Sequence, residues 1–413
     1  MFPRVTPVIG IDFGTTNSVV AARRADGSVI ALSHDTGDVF RSVLCFWADA
    51  GRTQHAAGPA AIEAYLDDPL AARLIMSMKS YLATASFTET RIFGRSYSLP
   101  GLIALFLRAL LGPFAEEMAG ARVVVGRPVR FAGEFADDAF GETRLRASFA
   151  EAGLPEVEVG LEPAAAGHRF AAGLDRAATV LVGDFGGGTS DFSLLRFDPA
   201  QPGRVRALGH TGVGIAGDAL DYRIIDHVVS PLLGKHGTYG VMGRQMPIPP
   251  SWYANFARWH RLPLMRAPRT LRDIAEVART AQHPERLHRL IRFIEDEAGY
   301  SLYRAVSGVK AALSGAEEAT LSFRNEDFVV EAPILRRDFE AWIAPELTQM
   351  AGAIDAALTD AGIAAGQVDR VFLTGGTSLV PAVRQLFVDR FGAERITGGG
   401  EFVSVAEGLA LMG

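Results

Sequence analysis

Residues 179–195 read Thr-Val-Leu-Val-Gly-Asp-Phe-Gly-Gly-Gly-Thr-Ser-Asp-Phe-Ser-Leu-Leu. An apolar run the length of one buried strand ends in a carboxylate, turns through three glycines and two hydroxyls, and leaves as a second apolar run. The same design stands 172 positions earlier, where residues 7–18 read Pro-Val-Ile-Gly-Ile-Asp-Phe-Gly-Thr-Thr-Asn-Ser and Asp12 matches Asp184. A solenoid unit is only ~20–50 residues long, so a repeat at this distance reads as two similar halves facing each other. In each turn, glycines let backbone N–H groups converge on an anion, hydroxyls add donors, and the strand-end carboxylate can hold a hydrated Mg²⁺. One copy alone is an ordinary glycine-rich turn. Two copies, with Asp12, Thr15 and Thr16 on one side and Asp184, Gly186, Gly187, Gly188 and Thr189 on the other, can grip a triphosphate.

Outward from these turns, residues 19–31 read as a return hairpin about Asp26-Gly27. Residues 123–131 and 368–378 are buried-strand candidates, followed by helices that end at Gly153 and at Phe391-Gly392. Strands alternating with helices in both halves indicate an α/β protein. Residues 162–173 and 404–413 are short Ala- and Gly-rich helix candidates, each following the last strand of its half. The simplest geometry packs these two helices together as a hinge. Residues 41 to about 100, with short strands and one helix over 57–65, read as an insertion. So does the mostly helical stretch of about 230–333, rich in Arg, Pro and aromatic residues.

The 413-residue chain carries 41 Lys+Arg against 47 Asp+Glu, a net charge of −6, and its lysines are only Lys79, Lys235 and Lys310. Arginine abundance follows from GC-rich coding, but a compact ammonium in a tight site cannot be replaced by a guanidinium fork. The length fits two or three domains. The acidic balance, with no evident basic patch, argues against nucleic acid as a partner. One cysteine, Cys45, permits no internal disulfide and suits a reducing compartment. No charged segment leads into a cleavable apolar stretch at the N-terminus, and the most apolar run, residues 102–115, is interrupted by Arg108 and Pro113 and reads as too short for a bilayer. The expectation is a soluble, cytoplasmic protein with no membrane partner.

Other motifs divide between chemistry and packing. Lys79, in Leu-Ile-Met-Ser-Met-Lys-Ser-Tyr-Leu over residues 74–82, reads equally as a solvated lysine and as an ammonium desolvated and aimed by apolar neighbours. Lys310 and Ser314 share a helix face at i, i+4, where they can bind a polar ligand edge, and Lys235 reads as a loop residue. Residues 212–217 match Gly-x-Gly-x-x-Gly, but they do not open a βαβ unit and no acidic strand end follows at the Rossmann spacing; Gly217 survives as an anion contact before a helix over 218–229. The lysines lack the Walker A spacing, and the histidines and cysteine form no zinc pattern. Residues 251–260, with four aromatics, read as core of the insertion in preference to a partner patch. The Arg-rich helices over 269–304 read as a solvated face interlaced with Glu276, Glu285, Glu295 and Glu297.

Taken in order, five segments resemble the DnaK-type heat-shock chaperone ATPases of the actin-like ATPase superfamily. Residues 9–18 are similar to the first phosphate motif, 162–166 to the first connecting helix, 184–191 to the second phosphate motif, 372–381 to the adenosine motif and 404–410 to the second connecting helix. The resemblance implies a duplicated, ribonuclease H-like α/β fold, with lobes at 1–178 and 179–413 closing and opening a nucleotide cleft. It places Lys79 at the catalytic lysine, Glu162 and Asp184 at the cleft carboxylates that position Mg²⁺ and water, and Thr189 beside the γ-phosphate. It gives Asp12 and Asp184 to the metal. Gly14, Thr15, Thr16, Asn17, Gly186, Gly187, Gly188 and Gly217 go to the phosphates, and Lys310, Ser314, Gly375, Gly376 and Thr377 to the nucleoside. ATP, ADP and Mg²⁺ are the implied ligands, slow ATP hydrolysis the implied reaction, and a protein client or co-chaperone the implied partner.

Three positions depart from the family pattern: Ser307 for a ribose-binding glutamate, Leu379 for an adenine-stacking arginine and Phe402 for an aspartate. The sequence stops directly after the second connecting helix, without the family's linker, peptide-binding domain and lid, which is closer to its short YegD-like branch. Alternative expectations are a sugar or acyl kinase of the same superfamily, a polymerising actin-like protein, and a nucleotide-gated binding module.

Overall fold

In a computed structural model, the described residues are 7–413 without 69, 133–135, 172, 173, 175, 199–204, 259, 260, 297, 327 and 399–402. The chain forms two compact units, Met1–Gly217 with Thr348–Gly413, and Asp218–Leu347.

The first unit contains two large sheets and two small ones, the latter built from Val43–Asp49, Arg52–Ala57 and Ala72–Met76 and from Glu89–Ile92 and Arg95–Ser98. One large sheet is built from Val8–Phe13, Asn17–Arg23, Val29–Ala31, Arg122–Arg127 and Glu158–Leu161, with the short strand Phe40–Arg41 paired to the second of these; the other is built from Ala178–Phe185, Ser190–Phe197, Val205–Val213, Arg370–Thr374 and Ile396–Gly398. With Phe40–Arg41 left out and the strands of each numbered one to five along the chain, both large sheets run 3-2-1-4-5 in space. In both, the first three strands form an antiparallel meander and strands one, four and five are parallel. The repeat seen in sequence is therefore a repeat of topology, and the fold is α/β with the duplicated ribonuclease H-like arrangement of actin-like ATPases. Each opening strand is buried on both faces, with Val8 and Ile11 as sealed as Val180, Leu181 and Val182. That is why these strands read as continuous apolar runs and not as alternating ones.

Two short helices, Glu162–Ala171 and Ser404–Met412, lie against one another and against the sheets. The helix that follows the first sheet packs on the second: a Cβ at Gly167 would meet Leu195 Cδ1 at 2.5 Å, and Phe170 stacks on Phe372 at 5.0 Å. The helix that follows the second sheet packs on the first, where a Cβ at Gly10 would stand 2.1 Å from the Ala406 carbonyl oxygen. The two helices cross at Gly408, where a Cβ would lie 1.8 Å from the Ala165 carbonyl oxygen; only glycine permits that approach. An ion pair between Arg169 and Glu407 ties the same two helices.

The apolar run is longer than residues 102–115. Helix Leu99–Leu111, a 3₁₀ turn at Gly112–Phe114 and a last helical turn at Ala115–Met118 follow one another. The 20 residues Leu99–Met118 are by length and composition enough to cross a bilayer, which corrects the expectation that the stretch is too short. Ser98 starts the helix by accepting the Gly101 N–H at 3.0 Å. Leu102, Ile103, Phe106, Leu107 and Leu110 are then sealed in the core of the first half. Each contributes about 1.5–3 kcal/mol of burial, which accounts for the composition by packing.

In the second unit, Tyr253 and Phe256 are buried and Phe256 meets Phe293 edge-on at 5.3 Å, so the aromatic cluster serves the core; Trp259 and His260 lie outside the described residues. The Arg-rich stretch forms the helices Pro268–Ala278 and Pro284–Glu295; beside the second, Glu285 lies 3.4 Å from His283, and Glu297 lies outside the described residues.

Candidate functional site

The two hairpins that open the sheets place their turns identically. Phe13 pairs with Ser18 and Phe185 with Ser190, leaving the four-residue turns 14–17 and 186–189. The turns come near one another: a Cβ at Gly188 would lie 3.6 Å from Thr15 Oγ1 and 3.4 Å from Ser80 Oγ. The first turn is braced from outside, since Arg41 Nη1 donates to Asn17 Oδ1 at 2.8 Å and the Ser42 N–H to the Thr16 carbonyl at 2.9 Å. In the second, the Gly186 N–H closes on the Thr189 carbonyl at 2.9 Å, and the Gly186 carbonyl receives a long bond of 3.5 Å from the Gly217 N–H.

Lys79 sits on the 3₁₀ helix Met78–Tyr81 and is 7% exposed. Its Nζ donates to Glu162 Oε1 at 2.5 Å. Glu162 opens the first connecting helix and is likewise buried; a Cβ at Gly126 would fall 3.3 Å from that carboxylate, so the end of the fourth strand must be bare to admit it. Burial works against the Lys79 ammonium, but Glu162, Asp12 and Asp184 outweigh it and hold its pKa above the ordinary value. Burial, then the charge of Glu162, lifts Asp12 to about 7 despite Lys79. Burial and the neighbouring carboxylates of Glu162, Asp12 and Asp191 raise Asp184 well above the usual range. Lys79, Glu162, Asp12 and Asp184, far apart in sequence, are thus one electrostatic cluster.

Asp191 joins that cluster and is not evident from the sequence. It lies directly across the hairpin from Asp184, where the first sheet has Val19 opposite Asp12. Its Oδ1 accepts the N–H groups of Val129 at 2.9 Å and Arg130 at 3.2 Å. Burial, then the charge of Glu162, raises its pKa to about 7 against the lowering effect of Thr189, the Arg130 amide and Lys79. The available signal was a charge inside the otherwise buried strand Ser190–Phe197.

Four carboxylates, Glu162 and Asp191 buried and Asp12 and Asp184 half-buried, stand against one ammonium, a balance that suits a cation. Among the described residues no group of three His, Cys, Asp or Glu is arranged to hold a metal by itself. Mg²⁺ does not need one, since it keeps several waters and binds through one or two carboxylates together with phosphate oxygens. Asp12 and Asp184 fit that role.

In the turn after Arg370–Thr374, Gly375 has φ +86, and a Cβ there would strike the Phe185 carbonyl oxygen at 2.0 Å, so this turn sits hard against the end of the strand Ala178–Phe185. Thr377 and Ser378 are buried, and Ser378 Oγ donates to the Gly375 carbonyl at 2.6 Å. Leu379 is 51% exposed, while Phe402 lies outside the described residues. In the second unit, Lys310 Nζ donates to Asp221 Oδ2 at 2.9 Å, and Ser314 Oγ turns back onto the Lys310 carbonyl at 3.3 Å. Lys235 has a partner too, Asp226 Oδ2 at 2.6 Å. Every lysine in the chain is therefore tied to a carboxylate within its own unit.

Comparison with known proteins bears on these residues. Residues 292–413 match the family model described as Hsp70 protein. Over 394 residues, 94% of its length, the chain is 28% identical to chaperone protein DnaK of Thermotoga petrophila and to that of Thermotoga maritima. The DnaK of Thermotoga neapolitana is 27% identical over 393 residues. The chain spans 56% of the length of each of these relatives. Its similarity to DnaK-type chaperones thus runs through nearly the whole sequence and is not confined to the five motifs.

Proposed function

We propose that the protein binds ATP with Mg²⁺ and hydrolyses it slowly, as a chaperone-like ATPase of the cytoplasm. The observation that carries this reading is the cluster of the buried pair Lys79 and Glu162 with the half-buried Asp12 and Asp184, beside two neighbouring glycine-rich turns. The turn amides and the hydroxyls of Thr15, Thr16 and Thr189 bind the phosphates, with Gly14, Asn17, Gly186, Gly187, Gly188 and Gly217 keeping the backbone close to them. Asp12 and Asp184 would hold hydrated Mg²⁺, which neutralises charge on the phosphate oxygens when bound. Lys79 directs its ammonium at the oxygen between the transferring and departing phosphates, and Glu162 keeps that ammonium in place. Asp184, whose pKa is raised by burial and neighbouring carboxylates, orients the attacking water and takes up its proton. No covalent intermediate is required.

On the resemblance, Lys310, Ser314, Gly375, Gly376 and Thr377 contact the nucleoside, and the lobes at 1–178 and 179–413 move about the crossing of the connecting helices. A protein client or co-chaperone is the proposed partner. The matches favour neither the kinase nor the polymer alternative.

The test compares ATP binding and turnover by the wild type, Lys79→Ala and Asp184→Ala. Turnover is expected to fall about 100-fold in each variant. Wild-type rates and unchanged nucleotide affinity in both would sink the assignment.

A further inference from the structure

Lys79 is carried by a helix of only four residues, too short to hold its own shape. The helix is entered through Ser77, which sits in the left-handed region at φ 50 and ψ 34, is 1% exposed, and has no partner for its hydroxyl. A non-glycine residue keeps such a conformation only where its surroundings over-determine it. Glu162 grips the end of the Lys79 side chain, but it does not restrain the backbone beyond it.

What restrains that backbone is Arg144, in the helix Asp138–Ala152, 7% exposed. Its Nη1 lies 3.2 Å from the Tyr81 carbonyl, 3.3 Å from that of Leu82 and 3.2 Å from that of Thr84, and Nη2 donates to the Phe87 carbonyl at 2.9 Å. The Ala83 carbonyl, skipped by the guanidinium, accepts the N–H of Asp137 at 3.3 Å. Five carbonyls from Tyr81 to Phe87 are thus turned onto one helix, four of them onto Arg144 and one onto the residue that precedes its first turn. Among the described residues Arg144 has no carboxylate partner; its charge is balanced by carbonyl dipoles and by the face of Phe140, 5.1 Å away. A buried charge is costly and persists where its full set of donors is used. A planar fork with five N–H groups can meet carbonyls on several sides, whereas an ammonium has three donors on a flexible stem.

We propose that Arg144 is a positioning residue for Lys79: by pinning the carbonyls of residues 81–87 it fixes the Met78–Tyr81 helix, and so the place of the ammonium. The proposal rests on the reading of Lys79 as the phosphate-directed lysine. Arg144 reaches the reaction only through Lys79, so its loss should act on turnover more than on nucleotide affinity, and should add nothing once Lys79 is gone.

The experiment measures kcat for ATP hydrolysis, nucleotide Kd and backbone hydrogen exchange for the wild type, Arg144→Met, Arg144→Lys, Lys79→Ala and the Lys79→Ala/Arg144→Met double variant. Arg144→Met should lower kcat about tenfold while Kd stays within about threefold, and the double variant should be no slower than Lys79→Ala alone. Amides of residues 80–87 should exchange faster, with those of residues 180–182 unchanged, and Arg144→Lys should recover part of the rate. A double variant that loses the product of the two single losses, or an Arg144→Met turnover within about twofold of wild type, would overturn the proposal. If Arg144→Met does not fold, Arg144→Lys carries the same comparison with Lys79→Ala. Should the wild type hydrolyse no ATP, the ATPase reading falls by itself. Arg144 is then judged on exchange at residues 80–87 and on acylation of the Lys79 amine, which should speed up in the Arg144 variant; no change in either would remove its role.

Discussion

The two glycine-rich turns occupy the same place in two copies of one sheet, yet their glycines answer to different demands. A Cβ at Gly14 would stand 2.0 Å from the Asn17 carbonyl oxygen, so glycine is required there by the turn itself. At Gly186 the nearest atom to a Cβ would be 3.5 Å away and at Gly188 3.4 Å, so the protein alone has room for a side chain at both. The charges differ too, since Asp12 faces Val19 across its hairpin and Asp184 faces Asp191. The first half supplies the ammonium and its carboxylate partner, Lys79 and Glu162, while the second supplies the paired aspartates. A duplicated scaffold has thus been loaded asymmetrically: one turn is shaped by its own backbone, while the other leaves room beside its glycines.

The largest effect should come where both halves meet. Gly408→Ala places a methyl inside the Ala165 carbonyl and should cost about 3 kcal/mol, read from urea denaturation; a near-neutral variant would show that the halves do not depend on this crossing. Next, Gly14→Ala should lose about 2 kcal/mol of stability. By contrast, Gly188→Ala should leave stability within about 0.5 kcal/mol and weaken nucleotide binding about tenfold, because its methyl enters the space between the turns. Equal stability losses in the two variants would erase the distinction between the turns.

Proton binding provides a subtler comparison. Asp12 and Asp191, one in each half, hold their protons to about 7 in the folded chain against the ordinary 3.8 of a free aspartate. The folded state then binds more protons than the unfolded one between those values, so stability of the ligand-free protein should fall as pH rises from about 4 to about 7. Asp191→Asn keeps an acceptor for the Val129 and Arg130 amides while removing one titration, and should flatten that slope; a slope rising with pH would contradict both assignments. The smallest expected effects are at Ser18 and Ser190, equivalent and fully buried. Ser18 Oγ lies 2.9 Å from Ser42 Oγ, and Ser190 Oγ donates to the Ile215 carbonyl at 2.6 Å. Alanine at either should cost about 1 kcal/mol, and a large inequality would mark a further asymmetry between the halves.

Much of the fold was legible because it is written twice. The strand, carboxylate and glycine turn repeat at Asp12 and Asp184, and the Ala- and Gly-rich helices announce their own close packing. Lys79 and Glu162 could be singled out, but their 2.5 Å pairing belongs to a contact across 83 positions that periodicity does not encode. Asp191 and Arg144 were hidden for a different reason: their partners are backbone amides and carbonyls, which carry no residue-type signal. The twenty-residue apolar run looks alike whether its surroundings are lipid or Phe13 and Phe40, and only the packed core distinguishes them. Lys235 appeared to be a bare loop residue because nothing in its neighbourhood pointed to Asp226.

The exchange of closing helices carries a consequence for the chain as a connected object. Since each half's last helix completes the other half's sheet, the arrangement is that of two identical subunits that trade their C-terminal segments about a twofold axis, joined here into one polypeptide. Severing the connection near residue 178 would give two fragments each lacking the cover its partner provides. Co-expressed, they should find one another and rebuild the unit; made separately, one should leave bare the strand that carries Gly10, and the other the strand that Gly167 now presses against.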